Sequence, residues 1–318
     1  MTHLPHQPVR VAVVGAGNVG STFAYALMLS GLATEIVLID ANHAKAEGEA
    51  MDLNHGVPLA SPARFWAGEY SDCAGAAVTV VTAGSAQRPG ETRLDLVQRN
   101  AVIFRQIISQ IVQYNPQGII LVATNPVDVL TYVAWKVSGL SPERVFGSGT
   151  ILDTARFRYL LSQHFSVDPR SVHAYIIGEH GDSEVPVWSL ANIAGMRLDD
   201  YCEANDLQCQ DEALGKIFTQ TRDAAYEIIN RKGATYYAVA TGLLRIVEAI
   251  LRDQGTVLSV SSLMQDYYGI DGVYLSLPTV IDRDGIKRVV RLKLEQEEID
   301  GLKRSADILQ TTIQQIDL

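Results

Sequence analysis

Cysteine is scarce in this chain. Cys73, Cys202 and Cys209 are odd in number and lack C-x-x-C spacing, which argues against a disulfide framework or a zinc ribbon and for a reducing compartment. Positive charge is also short: 26 lysines and arginines face 36 aspartates and glutamates, a formal net charge of −10. Nucleic-acid and anionic-membrane binders need a basic face, so no nucleic acid and no membrane surface is expected as a partner; local basic sites for small anions fit the total. No apolar run is long enough to span a bilayer, and the opening MTHLPHQPVR lacks the apolar core of a secretion signal. The expectation is a soluble, cytoplasmic protein. With 47% hydrophobic residues over 318 positions, about two domains can each bury a core.

What is present is alternation. Residues 9–17 (VRVAVVGAG) read as a buried strand running into glycines, residues 18–30 have helical spacing, and Gly31 can cap that helix. EIVLID (35–40) is a second strand and 42–55 a helix; AVTVVTAG and GIILVATN are further strands on either side of a helical stretch, 94–114. Near-continuous apolar strands alternating with helices imply a parallel sheet covered on both faces. Beyond Gly149 come helices at 150–164, 211–230, 236–252 and 297–315, with alternating, antiparallel-type strands at 257–262, 273–281 and 289–294. The fold class is α/β: a Rossmann doubly wound parallel sheet over residues 1–147, then an α+β half over 148–318.

GAGNVG (Gly15, Gly17, Asn18, Val19, Gly20) lies between the first strand and its helix, and Asp40 ends the second strand 20 residues after Gly20. Alone, the glycine pattern is weak. In this setting the glycines let the backbone approach a pyrophosphate at a helix N-terminus, and the carboxylate accepts from a ribose hydroxyl pair. The same carboxylate would repel a 2′-phosphate, so NAD is favoured over NADP.

GAGNVG, AGSAQRPGETRLDLVQRN, TNPVD, GTILDTARFR, GEHGDSE and KGATYY occur together and in the order found in the lactate/malate dehydrogenases. The chain resembles that family over nearly its whole length, and within it looks most like the bacterial L-lactate type. The resemblance implies oxidoreductase activity on pyruvate and L-lactate and a homotetramer. It also brings Thr82, Ala83, Gly84 and Asn125 into the cofactor site.

Reducing a ketone by hydride leaves an alkoxide that must take a proton, and histidine titrates near working pH. His180, in GEHGDSE, matches the family's acid/base residue; a lone histidine is otherwise more often structural. Asp153 matches the carboxylate that steadies the imidazole. Arg156, three residues on, shares a helix face with it and matches the arginine that grips the substrate carboxylate through two parallel bonds. On spacing alone an ordinary surface ion pair is an equal reading. Arg93 follows a stretch holding Gly84, Pro89 and Gly90 that could close over bound cofactor, bringing a cation onto the substrate carbonyl; a solvated arginine at a helix start is the plain alternative. Asn125 ends a strand where open α/β sheets place ligand contacts, and an Asn-Pro turn is the competing explanation.

Gln87 separates the two activities of the family. Malate dehydrogenases carry arginine there, and a glutamine leaves the second carboxylate of oxaloacetate unpaired in a closed site, a penalty of roughly a few kcal/mol. Arg88 is the neighbour that could be mistaken for that arginine. Thr235, in KGATYY, matches the residue beside the pyruvate methyl. Arg158 lies about 200° round the helix from Arg156, and His173 precedes His180 by an odd number of residues, so on a continuous strand it faces away. The two match positions that bind fructose 1,6-bisphosphate in activated bacterial relatives. The rivals are malate dehydrogenase, a non-catalytic NAD-binding sensor, and a zinc hydrolase on His173, Glu179 and His180. The last lacks H-E-x-x-H, and no metal is expected.

Overall fold

The computed structural model describes residues 8–85, 90, 93–207 and 209–316, and of Arg93 and Asp211 the backbone alone. In chain order the elements of the first half are β1 (Arg10–Val14), α1 (Asn18–Ser30), β2 (Glu35–Ile39), α2 (His43–Gly56), β3 (Arg64–Ala67), β4 (Val78–Val81), α3 (Arg93–Tyr114), β5 (Ile119–Val122), α4 (Val127–Ser138) and β6 (Val145–Gly147). The second half has α5 (Ile151–Phe165), β7 (Val172–His173), β8 (Ile176–Ile177), β9 (Val185–Pro186), β10 (Asn192–Ile193), β11 (Met196–Arg197) and α6 (Leu198–Ala204). It closes with α7 (Asp211–Lys232), α8 (Tyr237–Leu251), β12 (Thr256–Leu263), β13 (Tyr274–Asp282), β14 (Gly285–Val289) and α9 (Gln296–Gln314).

Among the described residues a nine-stranded sheet runs in the order β14-β13-β12-β6-β5-β4-β1-β2-β3. The six strands from β3 to β6 are parallel, with the reversal of winding between β1 and β4. The apolar runs of β1, β2, β4, β5 and β6 are buried end to end because helices cover both faces, while β3 at the edge buries only Phe65. Val11, Val13, Ile36 and Leu38 pack with Phe23, Leu27 and Leu243 on one side, and Ala12, Val14, Val37 and Ile39 join a core with Phe104, Ile108 and Leu130 on the other. The antiparallel hairpin β12–β13 extends this sheet past β6 through the pair Ser261 and Gly147, so one sheet underlies both halves. α1 ends where expected, at Gly31 with φ +65°, its N–H on Leu27 O. Among the described residues no helix is long and apolar enough to cross a membrane.

Three expectations need correction. The strand expected at 289–294 stops at Val289. Tyrosine hydroxyls take over its backbone groups: Tyr267 Oη donates to Val290 O and accepts from Leu292 N–H, while Tyr268 Oη donates to Leu292 O and accepts from Leu294 N–H. With those groups satisfied, no ladder partner is required. Cys202 and Cys209 are joined as a disulfide, where the cysteine count and spacing led to the expectation of no disulfide framework. The chain reverses after α6, with Leu207 N–H returning to Cys202 O, and brings the two Cα atoms to 6.0 Å, a closure the spacing does not announce. Finally, the segment from His173 to His180 is not a continuous strand, since β7 and β8 are separate two-residue strands in different sheets. Counting odd and even positions between the histidines therefore carries no information.

Phe146 is fully buried on β6, in the core shared with Ile281, Ile286 and Ile246. Phe146→Ala should lower unfolding free energy by about 3–5 kcal/mol, read as a reduced urea midpoint with little change in slope; a loss under about 1 kcal/mol would show that this junction is not a close-packed core.

Candidate active site

β8 stops at Ile177 because Gly178 takes φ +92°, where a Cβ would meet Ser305 Oγ at 2.8 Å. Gly178 exchanges two backbone hydrogen bonds of 2.9 Å with Ser276 on β13. The Glu179 N–H then donates to Ser305 Oγ on α9 (2.6 Å), and the His180 N–H to Asp128 Oδ2 on α4 (2.8 Å). Three consecutive residues are thus held by three different elements, which aims the His180 ring before its own bonds are counted.

That ring meets α5. His180 Nδ1 lies 2.5 Å from Asp153 Oδ2, and the other oxygen of Asp153 accepts from Arg156 Nη1 at 2.9 Å. The Asp153 side chain is 3% exposed, Arg156 12% and His180 23%. The i,i+3 pair is therefore not the surface ion pair that spacing alone allowed. With the Nδ1–H donated to a carboxylate, Nε2 is the ring atom left for proton exchange. His180, Asp153, Arg156, Asn125, Glu184 and Arg222 line one cavity of about 400 Å³.

Burial opposes a charged imidazole here, but the charge and hydrogen bond of Asp153, with Asp128 and Glu184 nearby, override it and raise His180 to about 9. For Asp153, burial pulls upward and is outweighed by His180 and Arg156, so its pKa is lowered. Asp128 is pushed up to about 6 by burial, against the hydrogen bonds it accepts from Ser261 Oγ (2.6 Å) and the His180 backbone. Glu184 is raised to about 8 by burial and by Asp153. These neighbours favour the protonated, imidazolium form of His180.

The glycine loop lies at the C-terminal ends of the parallel strands. Gly15 has φ +107°, and a Cβ there would stand 2.5 Å from Ala83 N and 2.8 Å from Thr82 Oγ1. Thr82 Oγ1 donates to Gly15 O at 2.8 Å, tying the end of β4 to the loop. Gly17 faces open space, and α1 begins there with no side-chain cap and no acidic residue in its first turn. Its first N–H groups are thus directed at whatever anion enters. Asn18 and Val19 open that helix, while Gly20 packs against the Gly15 carbonyl. Asp40 is pinned by the Ala16 N–H on Oδ2 (2.7 Å) and the Asn42 N–H on Oδ1 (2.8 Å). Gly84 abuts Thr124, so the ends of β4 and β5 meet beside the loop. These residues fit a dinucleotide: a close approach for pyrophosphate, an uncapped helix end and an oriented carboxylate.

Thr235 stands apart, half-buried in the link between α7 and α8 and outside the cavity wall among the described residues. Gln87 and Arg88 lie outside the described residues, as does the side chain of Arg93 at the head of α3. Arg158 does turn away from Arg156: its Nε donates to Ala174 O (2.9 Å) and its guanidinium covers Tyr175 at 5.1 Å, while His173 is exposed on β7 and is not among the residues lining the cavity that holds Arg158. Sequence reasoning missed Asp128 and Glu184. Asp128 stood in view inside TNPVD, a carboxylate in an otherwise apolar helix turn; nothing in GEHGDSE marked Glu184 as the buried acid.

The sequence model of the lactate/malate dehydrogenase NAD binding domain matches residues 9–147, and that of the lactate/malate dehydrogenase alpha/beta C-terminal domain matches 150–317. L-lactate dehydrogenase of Acetivibrio thermocellus is 55% identical over 310 residues, covering 97% of this chain and 98% of the relative. That of Thermoanaerobacter pseudethanolicus is 53% identical over 309 residues, covering 97% and 99%. A lactate dehydrogenase from a Medee basin deep-sea metagenome library superposes with a TM-score of 0.95 at 47% identity, over 97% of this chain and 99% of that one. The minor L-lactate dehydrogenase of Enterococcus mundtii, in its ligands-bound form, gives 0.95 at 42% identity, over 98% and 99%. With both halves matched in order along one sheet, the chain belongs to the lactate/malate dehydrogenase family.

Proposed function

We propose that this chain is an NAD-dependent L-lactate dehydrogenase, reducing pyruvate to L-lactate and running the reverse. The observation that carries the reading is the buried line Arg156–Asp153–His180 ending in one cavity. When bound, the nicotinamide supplies or takes the hydride. The pyrophosphate would sit against Gly15–Gly20 and the ribose against Asp40, with Thr82, Ala83, Gly84 and Asn125 along the cleft. Arg156 has one guanidinium nitrogen committed to Asp153, and its remaining donors grip the substrate carboxylate. His180 Nε2 delivers the proton to the oxygen at C2, and Asp153 holds the imidazole in the tautomer and charge state that can do so. Arg93 polarises the carbonyl with help from Asn125. Gln87 rejects a second carboxylate, and Thr235 borders the methyl group.

The test is NADH oxidation with pyruvate beside oxaloacetate at matched concentrations. Pyruvate should win in kcat/KM by at least about tenfold; a preference for oxaloacetate would transfer the chain to the malate branch and leave the hydride chemistry intact.

The same proposal includes a cytoplasmic homotetramer activated by fructose 1,6-bisphosphate. Supporting assembly, the half-exposed Tyr25 on α1 and the exposed Tyr237 on α8 line an open cavity of about 480 Å³ whose rim carries Glu49, Asp52 and His55, two aromatic faces with a polar border open to a second copy. Supporting the activator, Arg158 shares another cavity with Arg170 and Arg245, a cluster of guanidiniums on an acidic chain. Arg158→Gln should remove the drop in pyruvate KM that the bisphosphate produces; an undiminished response would place the activator elsewhere.

A further inference from the structure

Glu184 follows the His180 turn and precedes β9. Its N–H closes that turn on Gly181 O at 3.2 Å. The residue is 6% exposed, and its Oε1 has no hydrogen-bond partner among the described residues. It nonetheless lines the cavity that holds His180, Asp153 and Arg156. The other buried carboxylates around the histidine are provided for: Asp128 accepts from Ser261 and a backbone N–H, Asp153 from Arg156 and the ring, and Glu179 from Ser183 Oγ. A carboxylate withdrawn from water with an oxygen unserved is an expensive anion and a far cheaper neutral acid.

The surroundings make that choice consequential. Facing Glu184 are Asp153 and Arg156 from α5, Arg222 from α7 and His180 from its own turn. Asp182 and Tyr226 complete the polar wall and hydrogen-bond each other at 3.2 Å, and Arg222 is occupied by Asp223 at 2.9 Å. Among the described residues of the cavity wall, with Glu184 neutral, Arg156, Arg222 and a protonated His180 face Asp153 and Asp182, an excess of positive charge that suits an anionic substrate. Ionising Glu184 cancels that excess in a partly desolvated space, where unlike and like charges act at short range.

We propose that Glu184 is a specificity-determining residue of the pyruvate site: as a neutral carboxylic acid it leaves Arg156 free for the carboxylate of a 2-oxo acid, and as a carboxylate it repels that substrate. The inference rests on the reading of Arg156 as the carboxylate clamp and His180 as the acid. It makes pyruvate reduction depend on two protons, one on His180 and one on Glu184. The burial and neighbours that lift Glu184 to about 8 and His180 to about 9 put both losses on the alkaline side.

The test is kcat/KM for pyruvate at saturating NADH, from about pH 6 to about pH 10 at constant ionic strength. Beyond about pH 9 the parent should lose about a hundredfold per pH unit, Glu184→Asp should do the same, and Glu184→Gln should lose about tenfold per unit. NADH binding by fluorescence should be equal in all three. A Glu184→Gln profile as steep as the parent's, or a parent limb of one proton, overturns the proposal. His180→Gln separates this from the underlying reading: turnover persisting in that variant removes the acid itself, whereas its loss beside an unaltered Glu184→Gln profile removes Glu184 alone.

Discussion

The contact between Asp153 and His180 is where the fold and the chemistry meet. An exposed pair of this kind contributes about 0–1 kcal/mol. Here the carboxylate is almost wholly buried and is shared with Arg156, so removing His180 leaves Asp153 one partner, while removing Asp153 lets burial discharge the imidazole. The geometry is set from both sides. Thr150, at the start of α5, donates through Oγ1 to Ile176 O at 2.6 Å, and Thr154 Oγ1 accepts the Ile176 N–H at 3.0 Å. The helix bearing Asp153 is thereby sewn to the strand that leads, four residues later, to His180. Ser276, Ser305 and Asp128 hold the turn from the opposite direction.

This arrangement stands on the sheet. The parallel strands bring the loops after β1, β4 and β5 to one edge, with Gly15, Thr82–Gly84 and Asn125 along it. The hairpin β12–β13 extends that sheet and carries Ser261 to Asp128 and Ser276 to Gly178. The glycine loop and the His180 ring therefore share one sheet, and in the proposed reaction hydride and proton would reach the same small substrate from it.

Much of this was legible in the sequence, and the reasons are specific. The buried strands announced themselves by apolar continuity, and α1, α2, α8 and α9 by helical spacing, because burial on both faces leaves few alternatives. Gly15 to Gly20 and Asp40 could be read because a close backbone approach permits so few residue types. What could not be read were contacts made across the fold. Tyr267 and Tyr268 replacing a strand ladder, Cys202 meeting Cys209 around a reversal, and the break between β7 and β8 all depend on partners distant in sequence or on tertiary turns. Asp128 and Glu184 escaped for the same cause. A carboxylate's burial, and hence its protonation, is a property of its surroundings rather than of its neighbours in the chain.

The central claim is that Asp153 holds a proton on His180, and the most direct measurement is an NMR titration of the His180 ring in the parent and in Asp153→Asn. In the parent the imidazolium should persist through neutral pH and titrate near about 9. With the carboxylate gone, burial should win, and the midpoint should fall to the ordinary histidine value of about 6.5 or below. The same midpoint in both proteins, or an ordinary value in the parent, would contradict the account.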